Sequence, residues 1–151
     1  MNKTNSIDHC LRATWQAVAK MYNEEATKQD YTMAMAFAVL NIDYENGTPS
    51  TALGPLMGME ATSLSRILKS MEDKGIIFRE KNPDDGRGVL LKLTAIGKEK
   101  REQAKQSVLR FNEVVRQNVN EEEIKAFFKI TNTITQLIAN NKIFGTKRKA
   151  S

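Results

Sequence analysis

Ala61-Thr62-Ser63-Leu64-Ser65-Arg66-Ile67-Leu68-Lys69-Ser70-Met71-Glu72-Asp73-Lys74-Gly75 is the stretch that decides how this chain folds. At about 100° per residue, Leu64, Ile67, Leu68 and Met71 gather on one face. Thr62, Arg66 and Lys69 point the opposite way, with Ser63, Ser65 and Ser70 on the flanks. The spacing predicts a helix from about Ala61 to Lys74, apolar toward a core and polar, partly basic, on its other side. Gly75 is placed as its C-terminal stop.

Downstream, Ile76 to Lys81 reads as a strand. Asn82-Pro83-Asp84-Asp85-Gly86-Arg87-Gly88 is dense in turn formers, and Val89 to Leu93 reads as a second strand, so the two predict a hairpin with a long polar tip. Upstream, Thr48-Pro49 has the form of an N-cap with proline at the first helical position, opening a short helix through Leu53 and Leu56. Pro55 inside that helix removes a backbone donor, which costs ~3 kcal/mol in a regular interior, and predicts a kink or tightened turn near Gly54-Pro55. Gly58 then lets the chain turn sharply.

Working outward, Thr32 is an N-cap for a helix in which Met33, Phe37, Leu40 and Tyr44 share a face, with Asn46-Gly47 as its stop. A first helix begins near Ser6 or Ile7 and carries an apolar stripe of Ile7, Leu11, Trp15, Val18 and Tyr22, which the polar run Asn23 to Asp30 ends. Thr94 can cap a long helix bearing Ala104, Val108, Phe111, Val115 and Val119. Asn120-Glu121-Glu122-Glu123 starts another, with an N-cap, a Glu three residues on and acidic charge at the positive end of the dipole. Ile124, Phe127, Phe128, Thr131, Ile134 and Ile138 follow. The order helix, short helix, tight turn, helix, hairpin predicts a mainly α fold with a small β-hairpin wing: a winged helix-turn-helix flanked by N- and C-terminal helices.

Composition agrees with a globular chain of one domain: 151 residues, 40% hydrophobic and 27% charged. The formal net charge of +5 favours an acidic partner, nucleic acid or an anionic surface. One cysteine allows no intrachain disulfide, and one histidine removes most His-based metal and triad chemistry. There is no phosphate-binding glycine loop, no Ser-His-Asp set and no convergent metal ligands, so an enzyme has the least support and no cofactor or metal is expected. No apolar run approaches the ~20 residues needed to span a bilayer. No N-terminal stretch has the pattern of a secretion signal, and a cytoplasmic protein is expected.

The outward face of 61–74 suits duplex DNA. Its hydroxyls can contact bases or phosphates, Arg66 can pair bidentately with guanine or clamp a phosphate, and Lys69 suits a phosphate. On the hairpin tip, Arg87 between glycines could enter a narrow A·T-rich minor groove, with Asp84 and Asp85 orienting it by a charge-assisted bond. Taken singly, each feature is also what a solvated helix and a solvated hairpin look like; the ordered combination favours DNA. The alternative is a winged-helix adaptor that binds protein and not DNA. Such an adaptor would place large apolar side chains on the outward face, where this chain has Thr62, Arg66 and Lys69.

The combination resembles the MarR family of bacterial transcription regulators. The resemblance rests on Leu64-Ser65-Arg66-Ile67-Leu68, on Met71-Glu72-Asp73-Lys74-Gly75-Ile76-Ile77 and Arg79, on Asp85-Gly86-Arg87, and on Leu93-Thr94-Ala95-Ile96-Gly97. It is motif-grade from about Met59 to Gly97 and extends over nearly the whole chain as helix order. It implies that Thr62, Ser63, Ser65 and Arg66 sit in the major groove, with Arg87 in the minor groove and Asp85 as its supporting partner. Two departures stand out: Gly86 where family members commonly carry a second basic residue, and Pro55 in the supporting helix. The resemblance further implies a single domain over 1–151, with a DNA-binding lobe at about 32–97 and a helical dimerisation region at about 6–28 and 98–145. The homodimer would place two recognition helices in successive major grooves of a pseudo-palindromic, A·T-rich operator, roughly 34 Å apart. It would act as a ligand-responsive repressor near its own gene. The family's effectors, often small aromatic acids, bind between the dimer helices and the DNA-binding lobes.

Other residues attract attention with less result. Cys10 reads as a small, partly buried packing residue rather than an oxidant sensor, since apart from Arg12 no basic neighbour close in sequence would activate it. His9 reads as an exposed first-turn residue. The seven methionines, Met33, Met35, Met57, Met59 and Met71 among them, read mostly as core, although methionines can also line an adaptable pocket. Lys147-Arg148-Lys149 reads as a solvated tail.

Overall fold

The computed structural model describes residues 6–145. The chain forms α1 (Ile7–Thr27), α2 (Met33–Asn41), β1 (Thr48–Pro49), α3 (Ser50–Met57), α4 (Ala61–Asp73), β2 (Ile77–Lys81), β3 (Val89–Leu93), α5 (Ala95–Asn118) and α6 (Glu121–Ala139). This is the expected winged helix-turn-helix. Two compact units divide it, one running through Val108 and the other from Leu109 onward.

The core of the first unit forms where the helical and strand periodicities converge. Leu64, Leu68 and Met71 of α4 are buried with Met35, Ala38 and Val39 of α2, Leu53 of α3, and Ile77, Leu91 and Leu93 of the sheet. Each such large side chain contributes ~1.5–3 kcal/mol relative to exposure. Ile67, the fourth member of the expected apolar face, is partly buried against that core.

Thr32 caps α2 as expected, its Oγ1 accepting the Met35 N–H at 3.2 Å. The helix stops at Asn41, earlier than Tyr44, because Ile42 turns extended to enter the core. The Asp43 carboxylate then accepts the N–H groups of Asn46 and Glu45, which hold its pKa below the usual carboxylate value. The first helix also departs from expectation. It runs through Thr27, past the start of the polar run, because Glu24 and Glu25 are good helix formers and Ala26 is buried.

Thr48-Pro49 does not open α3 as an N-cap and first helical residue. It forms a third strand, pairing antiparallel with β3 at Thr48–Leu91 and Pro49–Leu90, and the sheet order is β1-β3-β2. The pairing partner lies some forty residues away, which local spacing does not report. The Thr48 hydroxyl accepts the Asp43 N–H and donates to the Asn41 carbonyl. Pro55 is accommodated within α3, on its exposed side, and the tightening comes at the end of the helix. There the Gly58 N–H donates to the Pro55 carbonyl at 3.3 Å, and Gly58 adopts the left-handed conformation, φ +63°.

The second unit contains the Asn120 cap in the expected form. Its Oδ1 accepts the Glu123 N–H at 2.9 Å and the Glu123 carboxylate accepts the Asn120 N–H at 3.2 Å. Of the α6 apolar residues, Ile124 is buried, while Phe127, Phe128, Ile130 and Ile138 are exposed.

Candidate nucleic-acid interface

α4 presents Thr62, Ser63, Ser65, Arg66 and Lys69 to solvent, opposite its buried Leu64, Leu68 and Met71. The hydroxyls are not equivalent. Ser65 Oγ donates to the Ala61 carbonyl at 2.8 Å, which leaves it an acceptor for an outside donor. Among the described residues, the hydroxyls of Thr62 and Ser63 make no hydrogen bond, and no carboxylate pairs with Arg66 or Lys69. Thr62, Ser63, Arg66 and Lys69 can therefore donate without first breaking an internal bond, while Ser65 can accept.

The junction of α4 with the wing is built by residues of the 72–97 motif. Arg79 Nε on β2 pairs with Glu72 Oε2 on α4 at 2.9 Å, both side chains about 40% exposed. Gly75 takes φ +69°, so the chain leaves the helix and enters β2 within two residues. Thr94 Oγ1 lies 2.5 Å from the Gly75 carbonyl oxygen and 3.1 Å from that of Ile76, and accepts the Gly97 N–H at 3.0 Å. A Cβ at Gly97 would collide with the Ile76 carbonyl oxygen. The Leu-Thr-x-x-Gly run is thus a clasp between the foot of the wing and the start of α5, and it requires both a hydroxyl and a residue without a side chain.

The wing is a five-residue ladder from Ile77–Leu93 to Lys81–Val89. Lys92 pairs with Glu80 across it at 2.7 Å. At the tip Arg87 is exposed and has no carboxylate partner among the described residues. Asp85 does not hold the Arg87 guanidinium, as the sequence reading expected. Its Oδ1 accepts the backbone N–H of Arg87 at 3.1 Å. A carboxylate two residues before an amide closes a local ring with the main chain more easily than it follows a long, mobile side chain. Asn82, which sequence reasoning counted only among turn formers, does the same for the Asp84 N–H at 3.0 Å. The signal for it was the Asn-Pro-Asp sequence itself.

Two further expectations change. Cys10 is exposed and not partly buried, because the adjoining apolar residues Ile7, Leu11 and Trp15 are themselves uncovered. His9 is half-buried and not exposed. Among the described residues, no cluster of His, Cys, Asp and Glu could hold a metal ion, and no helix is long and apolar enough to cross a membrane. Lys147-Arg148-Lys149 lies outside the described residues.

The MarR family model matches residues 31–89, from the start of α2 through the wing tip. The chain is 34% identical over 67 residues to YdgJ, an uncharacterised HTH-type transcriptional regulator of Bacillus subtilis, covering 44% of this chain and 41% of that protein. This chain therefore spans about two fifths of that relative's length. Among solved structures, the PcaV transcriptional regulator of Streptomyces coelicolor, in complex with its natural ligand, superposes with a TM-score of 0.72. That match has 21% identity and covers 90% of this chain and 96% of that one. Wild-type MarR of E. coli in its apo form gives a TM-score of 0.68 at 24% identity, over 85% and 96% of the two chains.

Proposed function

We propose that this chain, whose residues 31–89 match the MarR family model, is a sequence-specific, duplex-DNA-binding transcription regulator: a dimeric, ligand-responsive repressor of the bacterial cytoplasm. Thr62, Ser63, Ser65 and Arg66 read the major groove, Lys69 holds a phosphate, and Arg87 enters the minor groove. The observation that carries this reading is that Arg66, Lys69 and Arg87 are exposed and lack carboxylate partners among the described residues, while Arg79 and Lys92 nearby are paired. Cations left unneutralised on one helix and one wing are what a phosphate backbone requires.

The dimer draws support from apolar surface that stays open in each unit. Ile7, Leu11 and Trp15 are exposed on α1, and Phe127, Phe128 and Ile138 on α6. Ligand response draws on a cavity of about 20 Å³ lined by Tyr22, Tyr31, Met33, Phe37, Leu40 and Ala104 among others. It has room for about one water, so an aromatic effector would have to displace Phe37 or Tyr22.

Selection of bound sequences from random duplex DNA tests the function directly. The expected outcome is enrichment of a pseudo-palindrome whose affinity falls steeply with salt. Recovery of no preferred sequence, with binding insensitive to salt, would return the chain to the adaptor reading.

A further inference from the structure

We infer that Asn82 and Asp85 are the positioning residues of the wing, acting through their side-chain oxygens on its backbone, and that the negative charge of Asp85 is dispensable. The inference rests on the DNA-binding reading above and concerns how Arg87 is presented.

The segment 82–88 is tied by four hydrogen bonds. The Asn82 N–H donates to the Gly88 carbonyl at 3.0 Å and the Gly88 N–H donates to the Asp85 carbonyl at 2.9 Å. Asn82 Oδ1 accepts the Asp84 N–H at 3.0 Å, and Asp85 Oδ1 accepts the Arg87 N–H at 3.1 Å. Both side chains fold inward over Gly88. A Cβ built there would lie 3.3 Å from Asp85 Oδ2 and 3.4 Å from Asn82 Cβ. Gly86, by contrast, has nothing within 4 Å of such a Cβ, so the outer side of the tip is open. The two short side chains occupy the inner side of the turn, which leaves Arg87 as the cation of the segment 82–88.

Two roles for Asp85 give opposite expectations. If it steered the guanidinium by charge, removing the charge would release Arg87. If it holds the main chain, any oxygen at the same position serves, because an Asx turn requires an acceptor and not an ion. The second role also explains how an aspartate is tolerated at a tip that approaches phosphates. Its placement is needed, while its charge is a repulsive by-product.

The test compares D85N, D85A, N82A, R87A and the parent, as the full chain, on a selected operator with A·T-rich or G·C-rich flanks. D85N keeps the acceptor and loses the charge. It is used before the new Asn-Gly pair deamidates, with its mass checked. D85N is expected to bind as tightly as the parent or tighter. D85A and N82A each lose one backbone hydrogen bond and are expected to weaken binding about fivefold to tenfold. Both should lose the preference for A·T flanks, as R87A should. Amide exchange at Arg87 without DNA gives a second readout: protection retained in D85N and lost in D85A. A loss in D85N equal to that in D85A, in binding or in protection, overturns the inference, as does parental behaviour of D85A. Should R87A itself bind like the parent, the minor-groove reading fails, and the exchange result still decides the role of Asp85 in the turn.

Discussion

At the residue scale, the proposed DNA-reading face of α4 depends on which side chains the fold leaves unoccupied. Arg66 is exposed and without a carboxylate partner among the described residues, whereas Arg79 is committed to Glu72. Arg66→Ala should therefore cost about 1–3 kcal/mol of operator binding and relax specificity at the base it contacts. Titration of a selected operator against single-base variants measures this, and parental affinity in the variant would remove Arg66 from the groove. Arg87→Ala should weaken binding to A·T-flanked sites more than to G·C-flanked ones, because the narrow A·T groove has the stronger negative potential. Equal losses on both flanks would rule out minor-groove reading. Much of this was legible in the sequence, since a period of 3.6 separates Thr62 and Arg66 from Leu64 and Leu68. The internal bond of Ser65 to Ala61 was not legible, because it depends on a rotamer.

At the element scale, the wing and α5 are joined by a clasp with little tolerance. Thr94 bridges the carbonyls that end α4 and begin β2, and Gly97 packs directly against one of them. Gly97→Ala should destabilise the first unit by about 1–3 kcal/mol, as overpacking of a dense contact does. Thermal or urea unfolding checks this, and an unchanged midpoint would mean that the start of α5 can shift without cost. The Glu72–Arg79 pair works at the same joint but is partly solvated, so it contributes under about 1 kcal/mol and serves mainly to set the geometry. The β1 strand was misread because Thr-Pro is a good helix opening in isolation. The preference was overridden by a ladder to Leu90 and Leu91, a contact formed only once the hairpin exists.

At the scale of the whole molecule, the chain buries one well-formed core in its first unit and leaves apolar surface open in both units. Trp15, Phe127 and Phe128 are each about half exposed or more, and Phe144 is almost wholly exposed. A monomer with this surface would associate or aggregate. Sedimentation at micromolar concentration should find a dimer, and Phe128→Glu should shift it toward monomer. A parent protein that sediments as a monomer would refute the dimeric reading.

The sequence by itself determined the periodic and punctuated parts of this protein. These are the amphipathic α4, the hairpin with its turn formers, the Thr32 and Asn120 caps, and the Thr94 to Gly97 spacing. All of them are local, because helix and strand periods, caps and turns are set by neighbours a few residues apart. The tertiary structure alone decided what depends on distant partners: the third strand at Thr48-Pro49, the early end of α2 where Ile42 enters the core, and the exposure of Cys10. It also decided that Asp85 binds the backbone of Arg87 and not its guanidinium, a choice made by rotamers and distances that no residue spacing encodes.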